Sequence, residues 1–509
     1  MFGKFYALSK NQQMVIVMIL VGVIAFMVGS NILDAFFSGE DEAMYIRLCG
    51  AVSEYIRRGD LRNVYFALLY HDHPPLPILM VTPFIYLMGY NEAALRMPSV
   101  LLWVVSCLVA ARVGYRLGGV RVGFLSGIFL AVSGIFDILA LGFGEAAEVL
   151  FVLLFVGVLL DNFEWNLDTP PAQKKYLWGG IYLAAGYLFY SSTLPVIVAY
   201  HLIFGFKMLK AEFNLTTFWR YVQFTVPFAG FYLIYNAIFL GIPAYDVYVF
   251  GFAPYGQLRQ NLGRAGASLN IDSMFVNLRV MNAYVLPFIS WIILAFGMYA
   301  QLRKNVYLFV ILAGYGAIWS FYLQGNTGQH FLAYFCWAVP FGIAYIDQLF
   351  RKRNNYVFST IWLAILGLMV AWTYAIHLKT YTYDSYPRDL VSAVWGENLG
   401  WINNIYRPLR KIVGTLNDNL GSNGKYLSLV DGALTLYYYP DESRSLDGTS
   451  HLKIRQDKNG RCFWLPADVI KANKLRAVVS YVNQDICPEL VEVVNQYPGS
   501  NLQLTILKR

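Results

Sequence analysis

Charged side chains are scarce in this 509-residue chain: Asp, Glu, Lys and Arg make up 14% of it, while 57% is hydrophobic. Soluble domains carry roughly a quarter charged residues, so a water-surrounded globule is excluded and a polytopic membrane protein is expected. Cysteine is sparse as well. The five present (Cys49, Cys107, Cys336, Cys462 and Cys487) form no CxxC and no Cys/His metal spacing, which removes zinc modules and thioredoxin-like sites. A Cys462–Cys487 disulfide is open to the chain if that segment lies outside the cytoplasm. There is no internal repeat, low-complexity tract or Gly-rich phosphate loop. The net charge of +8 comes from small Lys/Arg clusters between apolar runs, not from one basic face, so no nucleic-acid partner is expected.

What the chain does have is long apolar runs. About 20 apolar residues cross a hydrocarbon core roughly 30 Å thick. Such runs fall at Met14–Phe36, Ala93–Tyr115, Val120–Phe136, Phe143–Leu160, Leu177–Tyr190, Leu194–Phe206, Phe218–Leu240, Ala283–Leu302, Val306–Leu323, Phe331–Leu349 and Tyr356–His377. The first lacks a small-residue cleavage site before Ser30 and reads as a retained span. The two around Ser191–Thr193 are short, and one long tilted helix competes with a pair. Lys174/Lys175 before them and Lys207/Lys210 after them belong on one side by the positive-inside rule, which requires an even number of crossings and favours the pair. With about eleven spans and a cytoplasmic N-terminus, Lys4/Lys10, Arg112/Arg116/Arg121, Lys174/Lys175, Lys207/Lys210/Arg220, Arg303/Lys304 and Arg351/Lys352/Arg353 share the cytoplasmic face. Four features then lie outside: the first loop (38–91), the loop Gly241–Asn282, the turn Gln324–Gln329 and everything after about Lys379.

Within the first loop, Tyr45, Ile46, Cys49, Val52 and Ile56 recur at helical spacing, as in a helix lying at the interface. Pro74–Met88 is too short and Pro-rich for a crossing and reads as a second interfacial or re-entrant helix. The expected fold is therefore an α-helical polytopic domain over 1–379 followed by a small α/β extracytoplasmic domain over 380–509. In the latter, Tyr426–Val430, Ala477–Val482 and Leu502–Leu507 read as strands, and Ala433–Tyr439 and Glu489–Gln496 as helices.

The chemistry-bearing stretch is Gly39-Glu40-Asp41-Glu42-Ala43-Met44-Tyr45, directly after the first span. Carboxylates at a membrane boundary are costly to desolvate and mark working sites. In a dry cleft, one can take a proton from an attacking hydroxyl. Asp41 and Glu42 are neighbours, so one faces the cleft while the other braces it. Acids before an amphipathic run also cap a helix and suit its dipole, and composition does not separate cap from catalyst. His71-Asp72-His73-Pro74-Pro75 lacks a third ligand for a metal. An anion contact by His73 is the better use, with the prolines opening the next helix.

Asp-Glu-Ala-x-Tyr after the first span, His-Pro-Pro-Leu about thirty residues later and Ala94-Leu95-Arg96-Met97-Pro98-Ser99 opening the second span together resemble the GT-C glycosyltransferases of the protein O-mannosyltransferase and aminoarabinose transferase group. The motifs cover roughly the first 150 residues and topology alone covers the rest. The resemblance implies that a polyprenyl-phosphate sugar is the donor, passed with inversion to an acceptor hydroxyl of a protein, glycan or lipid outside the membrane. Asp41 is then the general base and Glu42 its structural neighbour. No cofactor is required, and a divalent metal is the one addition left open. The leaving phosphate needs cations: Arg96 first, with an interfacial anchor as its plainer reading, then His73, Arg259, Arg264, Arg279 and His330. Glu145 and Glu148 share a helix face and could orient the acceptor or hold a cation, against the reading of dipole-favoured N-terminal acids.

The chain departs from the group at Ala147, where an Arg is usual. It departs again at His73, where aminoarabinose transferases favour Lys, which points away from lipid A towards another acceptor. No Trp-Trp-Asp signature supports transfer to Asn. A lipid A or lipid-linked-glycan transferase is the runner-up, and a catalytically silent subunit that binds lipid-linked glycan is a third reading. A transporter would need charges at mid-span, whereas those here cluster in external loops. A bacterial (inner) or archaeal plasma membrane is the expected location, there being no organelle signal.

Overall fold

The computed structural model describes residues 8–30, 32–33, 40–69, 76–89, 91–135, 145–162, 174–189, 193–210, 215–240, 289–304, 306–321, 328–350, 355–377 and, between 412 and 507, seven strands with short flanking segments. Two compact units divide the chain, one of Met1–Leu33 with Ala51–His377 and one of Asp34–Gly50 with Leu378–Arg509.

Along the chain the helices are α1 (Lys10–Ser30), α2 (Glu40–Arg57), α3 (Leu61–Leu69), α4 (Leu76–Met88), α5 (Glu92–Gly118), α6 (Val120–Ala131) and α7 (Glu145–Asn162), then α8 (Lys174–Phe189), α9 (Leu194–Lys210), α10 (Leu215–Leu240), α11 (Ile289–Lys304), α12 (Val306–Phe321), α13 (Gly328–Phe350) and α14 (Asn355–His377). Among the described residues, three stretches, Lys10–Ser30, Glu92–Gly118 and Leu332–Phe350, are long and apolar enough to cross a membrane by themselves. A 16-residue helix such as α8, α11 or α12 rises only about 24 Å, short of a full hydrocarbon core.

Local chemistry sets the helix ends. Ser9 and Gln12 form a capping box ahead of α1: Gln12 N donates to Ser9 Oγ at 3.3 Å and Ser9 N to Gln12 Oε1 at 3.0 Å. Asn91 caps α5 by accepting from Ala94 N at 2.8 Å. Gly119, at φ 87°, then turns the chain directly into α6 in a conformation that only glycine adopts freely. Helix α8 ends at Phe189 and α9 begins at Leu194, with Pro195 in its first turn.

In the helical unit large apolar side chains face outward, Leu363 at 71%, Leu202 at 69% and Met27 at 63% exposure, as expected where lipid surrounds the fold. Lipid supplies no hydrophobic drive between helices, so close packing and small residues must hold them. On α11 and α13, a Cβ at Gly342 would strike Ile293 O, and one at Gly297 would lie 2.6 Å from Ala338 O. Tyr345 meets both Phe296 (5.3 Å) and Tyr299 (5.1 Å). An aromatic cluster joins α7, α9 and α10, with Tyr200 and Phe224 centroids 4.0 Å apart and Phe155 5.4 Å from Tyr200. Thr373 Oγ1 donates to Val132 O at 2.7 Å, tying α14 to the end of α6.

The second unit holds a mixed sheet of order β2-β1-β5-β7-β6, built from β1 (Lys425–Ser428), β2 (Ser445–Asp447), β5 (Leu475–Tyr481), β6 (Val491–Gln496) and β7 (Leu502–Leu507). β1 runs parallel to β2 and β5, and β5–β7 and β7–β6 are antiparallel. A separate two-stranded pair joins β3 (Arg455–Gln456) and β4 (Phe463–Trp464). Leu427, Leu475, Val478, Ile486 and Leu507 form the core.

One expected helix is corrected here. Glu489–Gln496 is not helical: Pro488–Leu490 is a short 3₁₀ turn and Val491–Gln496 is the edge strand β6. Three β-branched valines (Val491, Val493 and Val494) favour a strand once β7 offers its free edge. The expected helix Ala433–Tyr439 lies outside the described residues. Cys487 is disulfide-bonded, its expected partner Cys462 lies outside the described residues, and Cys49, Cys107 and Cys336 carry no disulfide.

Candidate functional site

Helix α2 starts at Glu40, so Asp41 lies inside the first turn and not at the cap position before it. A carboxylate there still benefits from the helix dipole. The helical stripe expected behind it is present: Tyr45, Ile46, Cys49 and Val52 are buried, and only Ile56, at 43%, is exposed. Asp41 and Glu42 belong to the unit containing Asp34–Gly50, whereas Arg96, Glu145 and Glu148 belong to the helical unit. The side chains of Asp41, Glu42, Glu145 and His330 lie outside the described set, as do the whole of His71, His73, Arg259, Arg264 and Arg279.

Arg96 occupies the second turn of α5 and is fully buried, so it is no headgroup-facing anchor. Its Nη1 donates to Ile32 O at 2.6 Å. Charged groups are buried only when they are paired or hydrogen-bonded. This one grips the backbone just beyond α1, from which the acidic segment departs.

Glu148, in the first turn of α7, is fully buried and accepts a 2.6 Å hydrogen bond from Tyr315 Oη on α12. Helices α5 and α7 run parallel in a register set by Ser106 Oγ against Ala146 O (3.5 Å) and Arg116 Nη1 against Gly157 O (2.8 Å). Glu148 therefore lies level with the middle of α5, about 18 Å along the axis from Arg96 at 1.5 Å per residue. The two do not form one site.

Tyr315, which sequence reasoning passed over, sits in Gly314-Tyr315-Gly316, a polar tip between glycines in an otherwise apolar span. A Cβ at Gly316 would lie 2.6 Å from the Tyr334 ring, so that glycine admits α13. Tyr315 also packs on Trp337, with centroids 4.7 Å apart. Tyr315→Phe removes this bond to Glu148 Oε1 and should destabilise the helical unit by about 0.5–1.5 kcal/mol, read as a lower unfolding midpoint in detergent. Glu148→Gln keeps an acceptor and should cost less; equal midpoints for wild type and both variants would show that the bond contributes nothing.

Among the described residues no group of three or more His, Cys, Asp and Glu side chains could hold a metal ion.

Compared with known proteins, the sequence matches no family model and no curated protein. The fold does have solved counterparts. The chain is similar to the crystal structure of ArnT from Cupriavidus metallidurans bound to undecaprenyl phosphate, with a TM-score of 0.56, 12% identity and 97% of each chain covered. The apo form of the same protein gives a TM-score of 0.55 at 12% identity over 98% of each chain. The apo oligosaccharyltransferase of Archaeoglobus fulgidus gives 0.52 at 13% identity, over 91% of this chain and 69% of that one. At such identities the likeness establishes the fold alone, which this chain shares with those two proteins.

Proposed function

We propose that this chain is a GT-C glycosyltransferase that moves a sugar from a polyprenyl-phosphate donor to an acceptor hydroxyl on the extracytoplasmic side of a bacterial inner membrane. The observation that carries this reading is the fold likeness over nearly the full length of both chains to a structure that holds undecaprenyl phosphate. The reading includes about eleven crossings, a cytoplasmic N-terminus and an external domain over 380–509.

In the proposed reaction the Asp41 carboxylate takes the acceptor hydroxyl's proton as its oxygen attacks the anomeric carbon. The bond from that carbon to the phosphate oxygen breaks, the configuration inverts, and polyprenyl phosphate leaves with the electron pair. Glu42 braces Asp41. Charge developing on the leaving phosphate is met by basic side chains, with His73, Arg259, Arg264 and His330 as candidates beside Arg96. Arg96 has its Nη1 committed to Ile32 O, so its contribution includes holding the start of the acidic segment. Glu145 and Glu148 are the candidates for orienting the acceptor or holding a cation, Glu148 with its Oε1 bonded to Tyr315. An outward-facing site suits a lipid-borne donor, because nucleotide sugars stay in the cytoplasm.

Single-turnover release of polyprenyl phosphate tests the reading, using purified protein in liposomes, a panel of polyprenyl-phosphate sugars and cell-envelope extract as acceptor. Release with one donor class is the expected result. Donor binding without release across the whole panel would replace the enzyme with a lipid-linked-glycan binding subunit.

A further inference from the structure

A groove of about 860 Å³ runs along the flank of the helical unit between α1, α5, α7 and α8, within the roughly 300–1,000 Å³ of clefts that hold ligands. Met18, Ile19, Leu108, Val109, Leu154 and Val158 line its apolar length. It opens sideways, since the lining residues Val15 and Ile19 are 58% and 60% exposed. That opening faces hydrocarbon in a membrane-embedded bundle.

Its lining changes character at one end. Arg112 and Arg116, both exposed, come from the last turns of α5, and Asn11 from the first turn of α1. Arg116 is fixed by its bond to Gly157 O at 2.8 Å, and the Arg112 guanidinium lies 5.6 Å from the Tyr115 ring. On the opposite wall Trp178 and Tyr182 stack with centroids 5.8 Å apart. Trp and Tyr collect at headgroup depth, where an apolar ring meets a polar edge. Two guanidinium groups at that depth, above an apolar channel open to the bilayer, match an anionic head carrying acyl chains. Arg112 and Arg116 lie at the end of α5 opposite Arg96, so this groove is separate from the proposed catalytic end.

We propose that the groove holds one anionic diacyl phospholipid from the leaflet at that end, with its phosphate on Arg112 and Arg116 and an acyl chain along Ile19, Leu108 and Val109.

Native mass spectrometry of the full-length protein, equilibrated with equimolar phosphatidylglycerol, phosphatidylcholine of the same chains and undecaprenyl phosphate, tests this directly. Wild type should retain one phosphatidylglycerol in preference to the other two. Arg112→Gln/Arg116→Gln should weaken that retention by roughly tenfold or more. Arg112→Gln alone leaves the Arg116–Gly157 bond intact and should still lose about fivefold, so the outcome does not depend on the double variant folding. Val109→Trp, which fills the channel and spares both arginines, should also lose the lipid. Equal retention of phosphatidylcholine, displacement by undecaprenyl phosphate, or Arg112→Gln retaining phosphatidylglycerol like wild type would each overturn the assignment. Polyprenyl-phosphate release is a separate readout, so failure of this proposal leaves the catalytic one standing.

Discussion

Asp41→Asn is expected to lower the rate of polyprenyl phosphate release by about 10²–10⁴-fold, the usual worth of a positioned general base, while donor affinity stays within a few-fold of wild type. The substitution is chosen because it separates two roles that the residue type alone confounds. As a first-turn residue of α2, a carboxylate contributes about 0.3–1 kcal/mol through the helix dipole. Asn keeps the size and a hydrogen-bonding oxygen but cannot take a proton. If Asp41 serves only the helix, the variant should show a small fall in unfolding midpoint and nearly normal turnover. A base should give the reverse, near-normal stability with turnover almost gone. Glu42→Gln supplies the internal comparison: as a bracing neighbour it should cost less than Asp41→Asn. A Glu42→Gln loss equal to or larger than that of Asp41→Asn would exchange the two roles.

The parts of this fold that could be read in advance are those where solvent imposes the rule. Hydrocarbon demands uninterrupted apolar length, so the run from Met14 onward and the run opening at Ala93 announce themselves, and they coincide with α1 and α5. Lys174/Lys175 and Lys207/Lys210 favour two helices over one because charge sorts by side, and α8 and α9 are assigned as separate helices. Where a neighbour decides instead, reading fails. Pro488-Glu489-Leu490-Val491-Glu492-Val493 has helical spacing of its apolar residues, but β7 presents an open edge and Val491–Gln496 pairs with it. Glu148 does read as an N-terminal acid, but a one-dimensional pattern does not reveal that Tyr315, far along the chain, brings a hydroxyl to it. Arg112 and Arg116 read as topology signals, and only the packing of α1, α7 and α8 around them shows a groove below. Asp41 stood out for a different reason: a boundary carboxylate is expensive anywhere, whatever packs beside it.

Arg121→Leu is expected to destabilise the helical unit by about 2–3 kcal/mol. Arg121, in the first turn of α6, ion-pairs with Asp347 near the end of α13; the Asp347 side chain is 1% exposed and that of Arg121 34%. Breaking a buried pair by removing one partner typically costs about 3–5 kcal/mol, because the other charge loses the partner that offset its burial. The partial exposure of Arg121 lets water screen the pair and lowers that figure. Asp347→Leu should cost less, since the arginine left behind can turn its guanidinium to water at the membrane surface. The double variant Arg121→Leu/Asp347→Leu should recover much of the loss, because two apolar side chains of suitable volume remove both the attraction and the desolvation it offset. Unfolding midpoints of the four proteins in one detergent complete a double-mutant cycle. A coupling energy near zero would show that the pair is an incidental contact, and that α6 and α13 are held by close packing alone.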